Sequence, residues 1–431
     1  MTSKPYLPSG WVWETLGDVC YPPQYGWTTS AAPGGGIHLL RTTDISSGKI
    51  NWNTVPFCTE EPPDNEKFLL HDGDIVISRA GSVGFSYLIT KPQPSIFASY
   101  LIRFRPKINP RYVAYFLDSP AYWQAISENS IGIAIPNVNA SKLKQIPIPV
   151  PPPSEQERIE TKIEELFSQL DAGMAALKRV QAGLKRYKAS VLKAAVEGKL
   201  VPQDPSDEPA EEVLRRLGKE PFEGEDLSSL PKGWCWATIG DVGKIKGGKR
   251  LPAGHTYSTE RTKHPYIRVV DFNELSIHTS DLKYLNPETQ QIIKNYIINK
   301  EDVFISIAGS IGKVGVIPDN LDGANLTENA ARITDLHIIQ NKYLAFFFAS
   351  PLGREQISDS TISTNQPKLA LFRIEKIHLP LPPLNEQKRI MEDVELRFSL
   401  VNKIESVVTT TLARATSLRQ AILKQAFEGK L

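Results

Sequence analysis

Cysteine is scarce in this chain: Cys20, Cys58 and Cys235 are the only three in 431 residues. An odd count without a CxxC pair argues against a disulfide framework and a zinc knuckle, so buried thiols are expected. The seven histidines are scattered, with no HExxH and no tight grouping with Asp or Glu, and no metal is predicted. No apolar run approaches the roughly 20 residues needed to cross a bilayer, and the opening "MTSKPYLPSGWVWE" has no apolar signal core. The expectation is a cytoplasmic protein without a membrane partner. Catalytic fingerprints are missing too. An adenine-methylating site needs an acidic or amide residue before Pro-Pro-aromatic; "YPPQY" (21–25) lacks it and displaces the aromatic, which predicts a turn or strand edge. In "GSIGKVG" (309–315), Ile307 stands where a phosphate loop requires glycine, and no paired glycine-rich fingerprint marks a dinucleotide site. The chain is expected to hold no cofactor and to catalyse nothing by itself.

What is present is the composition of ordinary globular domains, 41% hydrophobic and 23% charged, in a chain long enough for two or three of them. The net charge of +2 hides a regional split, because residues 201–230 hold nine acidic and three basic side chains. The remainder is mildly basic. That balance permits nucleic-acid binding through local patches without demanding it.

The chain repeats itself. "LPSGWVWETLGDV" (7–19) returns as "LPKGWCWATIGDV" (230–242), and "GDIVISRAGSVGFSYLI" (73–89) as "EDVFISIAGSIGKVGVI" (301–317). "YVAYFLDSP" (112–120) returns as "YLAFFFASP" (343–351), and "LKAAVEGKL" (192–200) as "LKQAFEGKL" (423–431). The offset drifts from 223 to 231, so two tandem units differ by small insertions between motifs. Residues 20–72 and 243–300 share almost nothing, which fits either one scaffold with two different gripping surfaces or drift after duplication.

Each half reads as mixed α/β. "DIVIS", "YLIRFRP", "VFISI" and "AARIT" predict short strands. "RYVAYFLDSPAYWQAI" and "NKYLAFFFASPLGREQI" predict helix pairs broken at Ser-Pro, and the proline runs "IPIPVPPPSEQERI" and "IHLPLPPLNEQKRI" predict stiff exits.

A long helix follows each exit, with Ser154 and Glu157 as a capping box and Asn385 as the matching cap. Heptad rows run through Ile163, Leu170, Leu177, Leu184 and Val191, and through Ile159, Leu166, Val180 and Tyr187. The second helix carries Ile390, Val394, Val401, Ile404, Val408, Leu418 and Ile422 but interrupts its seam with Arg397 and Thr411. Forty-odd residues predict a rod of roughly 60–70 Å. Residues 155–171 are acidic, whereas Lys178, Arg179, Lys185, Arg186, Lys188, Lys193 and Lys199 make the other half basic. Antiparallel pairing sets acid against base, and it returns the final "EGKL" beside the first domain.

On these motifs the chain resembles, over its whole length, the specificity subunit of Type I restriction-modification systems. The resemblance rests on "GWVWETLGDV" and "GWCWATIGDV", "AGSVG" and "AGSIG", "PxPPxxEQxRI", and helices closed by "EGKL". It implies two tandem, pseudo-twofold-related α/β target-recognition domains separated by a long antiparallel two-helix coiled coil. The segments are 1–153 and 231–384 for the recognition domains, 154–200 and 385–431 for the spacer helices, and 201–230 for an acidic connector. It further implies that each domain reads one half of an interrupted, asymmetric site in double-stranded DNA. Two modification subunits holding S-adenosylmethionine methylate adenine, and restriction subunits join them to translocate and cut DNA. The rival readings are a DNA-binding architectural or regulatory scaffold outside restriction and a self-sufficient methyltransferase without its usual fingerprints.

Candidate contacts begin with the Gly-Ser-x-Gly turns, where glycines let backbone amides approach a phosphate or base and the hydroxyl offers a hydrogen bond. These are Ser78, Arg79, Gly81, Ser82 and Gly84, and Ser306, Gly309, Ser310, Gly312 and Lys313; a purely structural turn is the alternative. Arg41 and Arg268 stand at predicted strand ends, where arginine can read guanine through two parallel hydrogen bonds. "KIKGGKR" offers Lys244, Lys246, Lys249 and Arg250 on a flexible loop, for phosphates or merely for solvent. Asn137, Asn139, Asn365 and Gln366 can read adenine or cap turns.

Overall fold

The computed structural model describes residues 6–130, 138–224, 227–362 and 367–431. The chain divides into two units. Unit one is 1–178 with 409–431, and unit two is 179–408.

In unit one, Val12–Thr15 pairs antiparallel with Pro147–Val150 at the base of the head. A four-stranded sheet follows in the order Gln24–Tyr25, Leu101–Phe104, Ile75–Ser78, Ser86–Leu88. Ile75–Ser78 is buried throughout because it lies between two cores. Ile75 and Ile77 join the main helical core, while Val76 joins Leu40, Ile45, Phe97 and Leu101. A second sheet runs Ala31–Ala32, Phe57–Cys58, His38–Leu40, Ser95–Phe97, its last pair parallel.

Unit two repeats the first sheet and three strands of the second, whose fourth strand lies on the opposite edge. The first is Lys244–Gly247, Ala330–Thr334, Val303–Ser306, Val314–Val316, and the second is Lys283–Tyr284, Pro265–Ile267, Ala324–Leu326, Ile297–Ile298. Pro265–Ile267 and Ala324–Leu326 are the parallel pair. The segments without sequence likeness thus form matching strands, because burial and alternation specify a strand where residue identity does not. Lys244–Gly247 was expected on a flexible loop; pairing with Ala331–Thr334 makes it a strand. Gly26 and Gly248 follow the corresponding edge strands. A Cβ there would lie 2.2 Å from the Ala98 carbonyl and 2.0 Å from that of Thr327, so both positions require glycine.

The long helices are Pro153–Val196 and Leu384–Phe427. Each begins one residue before its expected cap, so Ser154 and Asn385 lie inside the first turn. Pro153 at the first helical position has no N–H to leave unpaired there. In unit one, Tyr112, Val113, Phe116 and Leu117 pack with Ile159, Ile163 and Phe167 of the first long helix and with Ile422, Leu423, Ala426 and Phe427 of the second. The Phe427 ring meets those of Tyr112 and Phe116 edge-on, with centroids 5.1 and 5.4 Å away. In unit two, Tyr343, Leu344 and Phe347 share a core with Val191, Leu192, Ala195 and Val196 and with Ile390 and Val394. The Tyr112 and Tyr343 hydroxyls donate to the Pro149 and Pro380 carbonyls at 2.7 and 2.8 Å.

Within each unit the start of one long helix lies beside the end of the other, so the pairing is antiparallel. Asp171 meets Arg419 at 3.0 Å in unit one, and Lys188 meets Glu405 at 2.8 Å in unit two, acid against base as the charge gradient requires. The seam is narrower than the heptads predict. Val394, Val401, Val408, Ala415 and Ile422 are buried at every seventh position, but Val180, Tyr187, Ile404 and Leu418 are exposed. Arg397 and Thr411 fall in that second row and prevent its closure; Arg397 instead donates to the Tyr187 hydroxyl at 3.2 Å.

The three cysteines are buried and unpaired, and burial pushes the Cys20 and Cys235 thiols up to about 12. Among the described residues no helix is long and apolar enough to cross a membrane.

Candidate nucleic-acid interface

Ile75–Ser78 and Val303–Ser306 each end in a turn shaped by two glycines of positive φ: Gly81 and Gly84 (76° and 84°), and Gly309 and Gly312 (72° and 83°). Ser78 and Ser306 are buried, and their hydroxyls are spent inside the turn. Ser78 Oγ donates to the Ala80 carbonyl at 2.9 Å, while Ser306 Oγ donates to the Ser310 carbonyl and accepts the Lys313 N–H at 2.8 Å. Both serines, candidate ligand contacts by sequence, thus act as staples of the turn in this structure. Gly81, Ser82, Gly309, Ser310 and Lys313 remain exposed at the tips. Gly84 and Gly312 face inward, where a Cβ would meet Ile126 at 3.0 Å and Ile357 at 3.4 Å.

Beside the first turn the sheet brings distant residues together. The Arg79 guanidinium stacks over the Tyr25 ring, its carbon 5.1 Å from the centroid, and the Arg79 N–H donates to the Tyr100 carbonyl at 2.9 Å. Arg79 Nε is buried without a hydrogen-bond partner among the described residues. Stacking orients the guanidinium, whose terminal nitrogens suit a phosphate or a base edge, while the buried Nε is out of reach of either. In unit two the same three positions hold Ile307, Gly247 and Asn329, as the pairings Tyr25↔Ile102 and Gly247↔Ala331 and the bond from Ile307 N–H to the Asn329 carbonyl establish. One scaffold therefore presents two different surfaces. Sequence reading missed Tyr25, Tyr100 and Asn329 here, since only the strand order unites them.

Arg41 and Arg268 occupy equivalent places, each directly after the parallel strand of its head. Arg41 Nε and Nη2 donate to the two oxygens of Asp44 at 3.0 and 2.8 Å; Arg268 does the same to Asp271 at 3.0 and 2.7 Å. Each aspartate also accepts its arginine's own backbone N–H, as in a capping box. Donating these hydrogen bonds to the carboxylate raises the pKa of each guanidinium. Two of five N–H groups are used in Arg41, and the fork is held in one orientation with its outer edge free. Arg268 Nη2 additionally reaches the Asp281 carbonyl at 2.8 Å. "RTTD" (41–44) and "RVVD" (268–271) are a shared motif at offset 227, between the neighbouring offsets of 223 and 228. That offset was the signal available and unread.

Lys244 and Lys246 project from one face of their strand toward Asp335 at 3.3 and 3.7 Å. Lys249 lies over the Tyr296 ring at 5.5 Å, and Arg250 Nε donates to Glu328 at 2.8 Å. Asn139 caps the helix Ala140–Lys144 by accepting the Lys142 N–H at 2.9 Å, the capping alternative of the two foreseen. Asn137, Asn365 and Gln366 lie outside the described residues.

The Type I restriction modification DNA specificity domain matches residues 8–182 and 231–408. The EcoBI specificity subunit of Escherichia coli, a Type I restriction enzyme component, is 26% identical over 402 residues, covering 92% of this chain and 80% of that one. The EcoKI counterpart from Escherichia coli (strain K12) is 27% identical over 417 residues, covering 92% and 82%. A chain from a solved structure on complex assembly and conformational transition of the type I R-M system superposes with a TM-score of 0.76 at 20% identity, across 99% of this chain and 100% of that one. This last likeness is one of fold.

Proposed function

The chain belongs to the family of Type I restriction modification DNA specificity domains, and from that premise we propose that it is the DNA sequence-recognition subunit of a Type I restriction-modification complex. Each head reads one half of a bipartite, asymmetric site, and the paired helices set the spacing between halves. The observation that carries this reading is the exchange of Arg79, Tyr25 and Tyr100 for Ile307, Gly247 and Asn329 at matching points of one scaffold. Two unlike surfaces on one frame suit a target with two unlike halves.

In this reading the arginine forks Arg41 and Arg268 and the stacked Arg79 read base edges. The exposed tips at Gly81, Ser82, Gly309, Ser310 and Lys313 take the backbone, and Lys244, Lys246, Lys249 and Arg250 supply phosphate contacts. The chain performs no chemistry. Modification subunits carry S-adenosylmethionine and transfer its methyl group to adenine, and restriction subunits complete the assembly in the cytoplasm. Leu396, Leu400, Ile404 and Val407, exposed on one side of the second long helix, are the surface on which a modification subunit docks.

Co-expression with a cognate modification subunit, followed by genome-wide mapping of methylated adenines, tests the reading. The expected result is one interrupted motif, and exchanging residues 20–150 with those of a relative should alter one half of it. Alteration of both halves refutes independent heads. Methyl transfer to DNA by the purified chain alone refutes the non-catalytic assignment.

A further inference from the structure

In unit two the parallel strands Pro265–Ile267 and Ala324–Leu326 end side by side, tied by the Thr327 N–H, which donates to the Ile267 carbonyl at 3.0 Å. Arg268 follows the first strand, and Thr327, Glu328 and Asn329 follow the second. A third segment closes on this edge. Gly248 lies hard against the Thr327 carbonyl, the Lys249 N–H donates to the Leu326 carbonyl at 2.8 Å, and the Tyr266 hydroxyl donates to the Lys249 carbonyl at 2.8 Å. Arg250 is thereby brought beside Glu328. Its Nε donates to one carboxylate oxygen at 2.8 Å, and the Thr327 hydroxyl donates to the other at 2.9 Å. Burial pushes the Tyr257 phenol up while the Arg268 and Glu328 charges act on it in opposite senses, so this ring lies within reach of both. The Glu328 side chain is 29% exposed between its anchors. A carboxylate accepts at about four positions, and these two bonds leave the others open.

Unit one builds the same edge without charges. The Ala98 N–H donates to the Leu40 carbonyl at 2.9 Å and the Trp27 N–H to the Phe97 carbonyl at 2.8 Å, so Ala98 matches Thr327 and Trp27 matches Lys249. By that register Ser99 stands for Glu328 and Thr28 for Arg250. The scaffold therefore requires neither charge. Arg250 is 78% exposed, and an ion pair so open to solvent contributes little to stability. A carboxylate beside a polyanion also weakens binding unless it meets a donor. Stability does not account for Glu328.

We infer that Glu328 is a specificity-determining residue of unit two and selects cytosine in the half-site which that unit reads. The inference rests on the DNA-recognition reading. In the major groove only cytosine offers an amino donor without an adjoining acceptor. Adenine sets N7 beside its amine, while guanine and thymine present acceptors. A carboxylate set against any of those three lies next to a repelling lone pair. Arg250 and Thr327 hold it in one orientation before DNA arrives. Ser99, whose hydroxyl both donates and accepts, gives unit one no such selection.

The test uses the full chain co-expressed with a cognate modification subunit. Methylated adenines are mapped genome-wide, and the purified complex is then titrated by anisotropy against duplexes altered one base pair at a time. The half-site left unchanged by exchange of residues 20–150 belongs to unit two and should contain a fixed cytosine. Glu328→Ala and Glu328→Ser, the second carrying the unit-one residue type, should each erase the preference for it. Replacing that cytosine by 2-pyrimidinone, which lacks the amino group, should weaken the unaltered complex about tenfold and leave Glu328→Ala unaffected. Preserved discrimination in the other half-site shows that the variants fold. Uniform weakening on all sequences with preferences kept would make Glu328 a support for Arg250 and overturn the inference. A unit-two half-site without a fixed cytosine, or retained preference in Glu328→Ala, overturns it too. Methylation at a motif without two halves would instead overturn the recognition reading, and this inference with it.

Discussion

The Arg79 guanidinium lies against the Tyr25 ring, whose hydroxyl accepts the Ala140 N–H at 2.9 Å. One tyrosine thus orients an arginine and anchors the helix that Asn139 caps. Arg79→Ala is expected to weaken DNA binding by about 1–3 kcal/mol, roughly 5- to 150-fold, and to relax only the half-site read by unit one. Tyr25→Phe keeps the ring and should cost only a few-fold. Anisotropy titrations with duplexes altered in one half at a time decide this, and equal loss on both halves counts against it.

Arg41 and Arg268 owe their orientation to Asp44 and Asp271. Arg41→Lys removes the planar fork, and Asp44→Asn removes the carboxylate that holds it, so both should lose discrimination by about 1–3 kcal/mol in the first half-site. Arg268→Lys should do so in the second. A variant that binds more weakly to all sequences while keeping its preferences would reassign the residue to phosphate.

Gly248→Ala drives a Cβ into a backbone oxygen that cannot move aside. It should destabilise unit two by about 3 kcal/mol or more. Gly81→Ala meets open space and pays only for its positive φ, about 1–2 kcal/mol. Denaturant titration compares them, and the reverse order would show that the close approach is misplaced.

Phe427→Ala empties the space between Tyr112 and Phe116. A loss of about 3–5 kcal/mol is expected. Hydrogen exchange should accelerate across Pro110–Leu117, more than 300 residues away in sequence, and unchanged protection there would contradict the shared core.

Burial raises the pKa of Glu386, against the lowering effect of hydrogen bonds from Gln203 and Trp234. The folded chain then binds more protons than the unfolded one between the two values. Stability of the unaltered protein should therefore fall relative to Glu386→Gln as pH rises from about 4.3 through the raised value, and level off above it. Paired melting curves between pH 4 and 8 measure the gap. A gap that runs the other way as pH rises contradicts the sign.

Much of the architecture was legible because it is written twice. The duplicated "AGSVG" and "AGSIG" turns, the proline exits and the opposed charges of the long helices each carry several residues of signal. "RTTD" and "RVVD" carry two identical residues inside unlike neighbours, too few to stand out. "KIKGG" reads as a loop because its glycines are local, whereas the partner strand that orders it lies about 85 residues on. Ser78 and Ser306 recur because the scaffold needs them. The Arg79, Tyr25 and Tyr100 cluster was hidden for the opposite reason, since it differs between copies and is assembled only by strand order.

Unit one is built from residues 1–178 and 409–431, with all 230 residues of unit two lying between them in the chain. A ribosome adding about 5–20 residues per second separates the two portions by on the order of 10–50 s. Throughout that interval Tyr112 and Phe116 lack the ring that covers them, while the intervening portion can already collapse. The portion translated first is thus the last to mature, and the nascent polypeptide's window of vulnerability to proteases and chaperones falls on its own beginning.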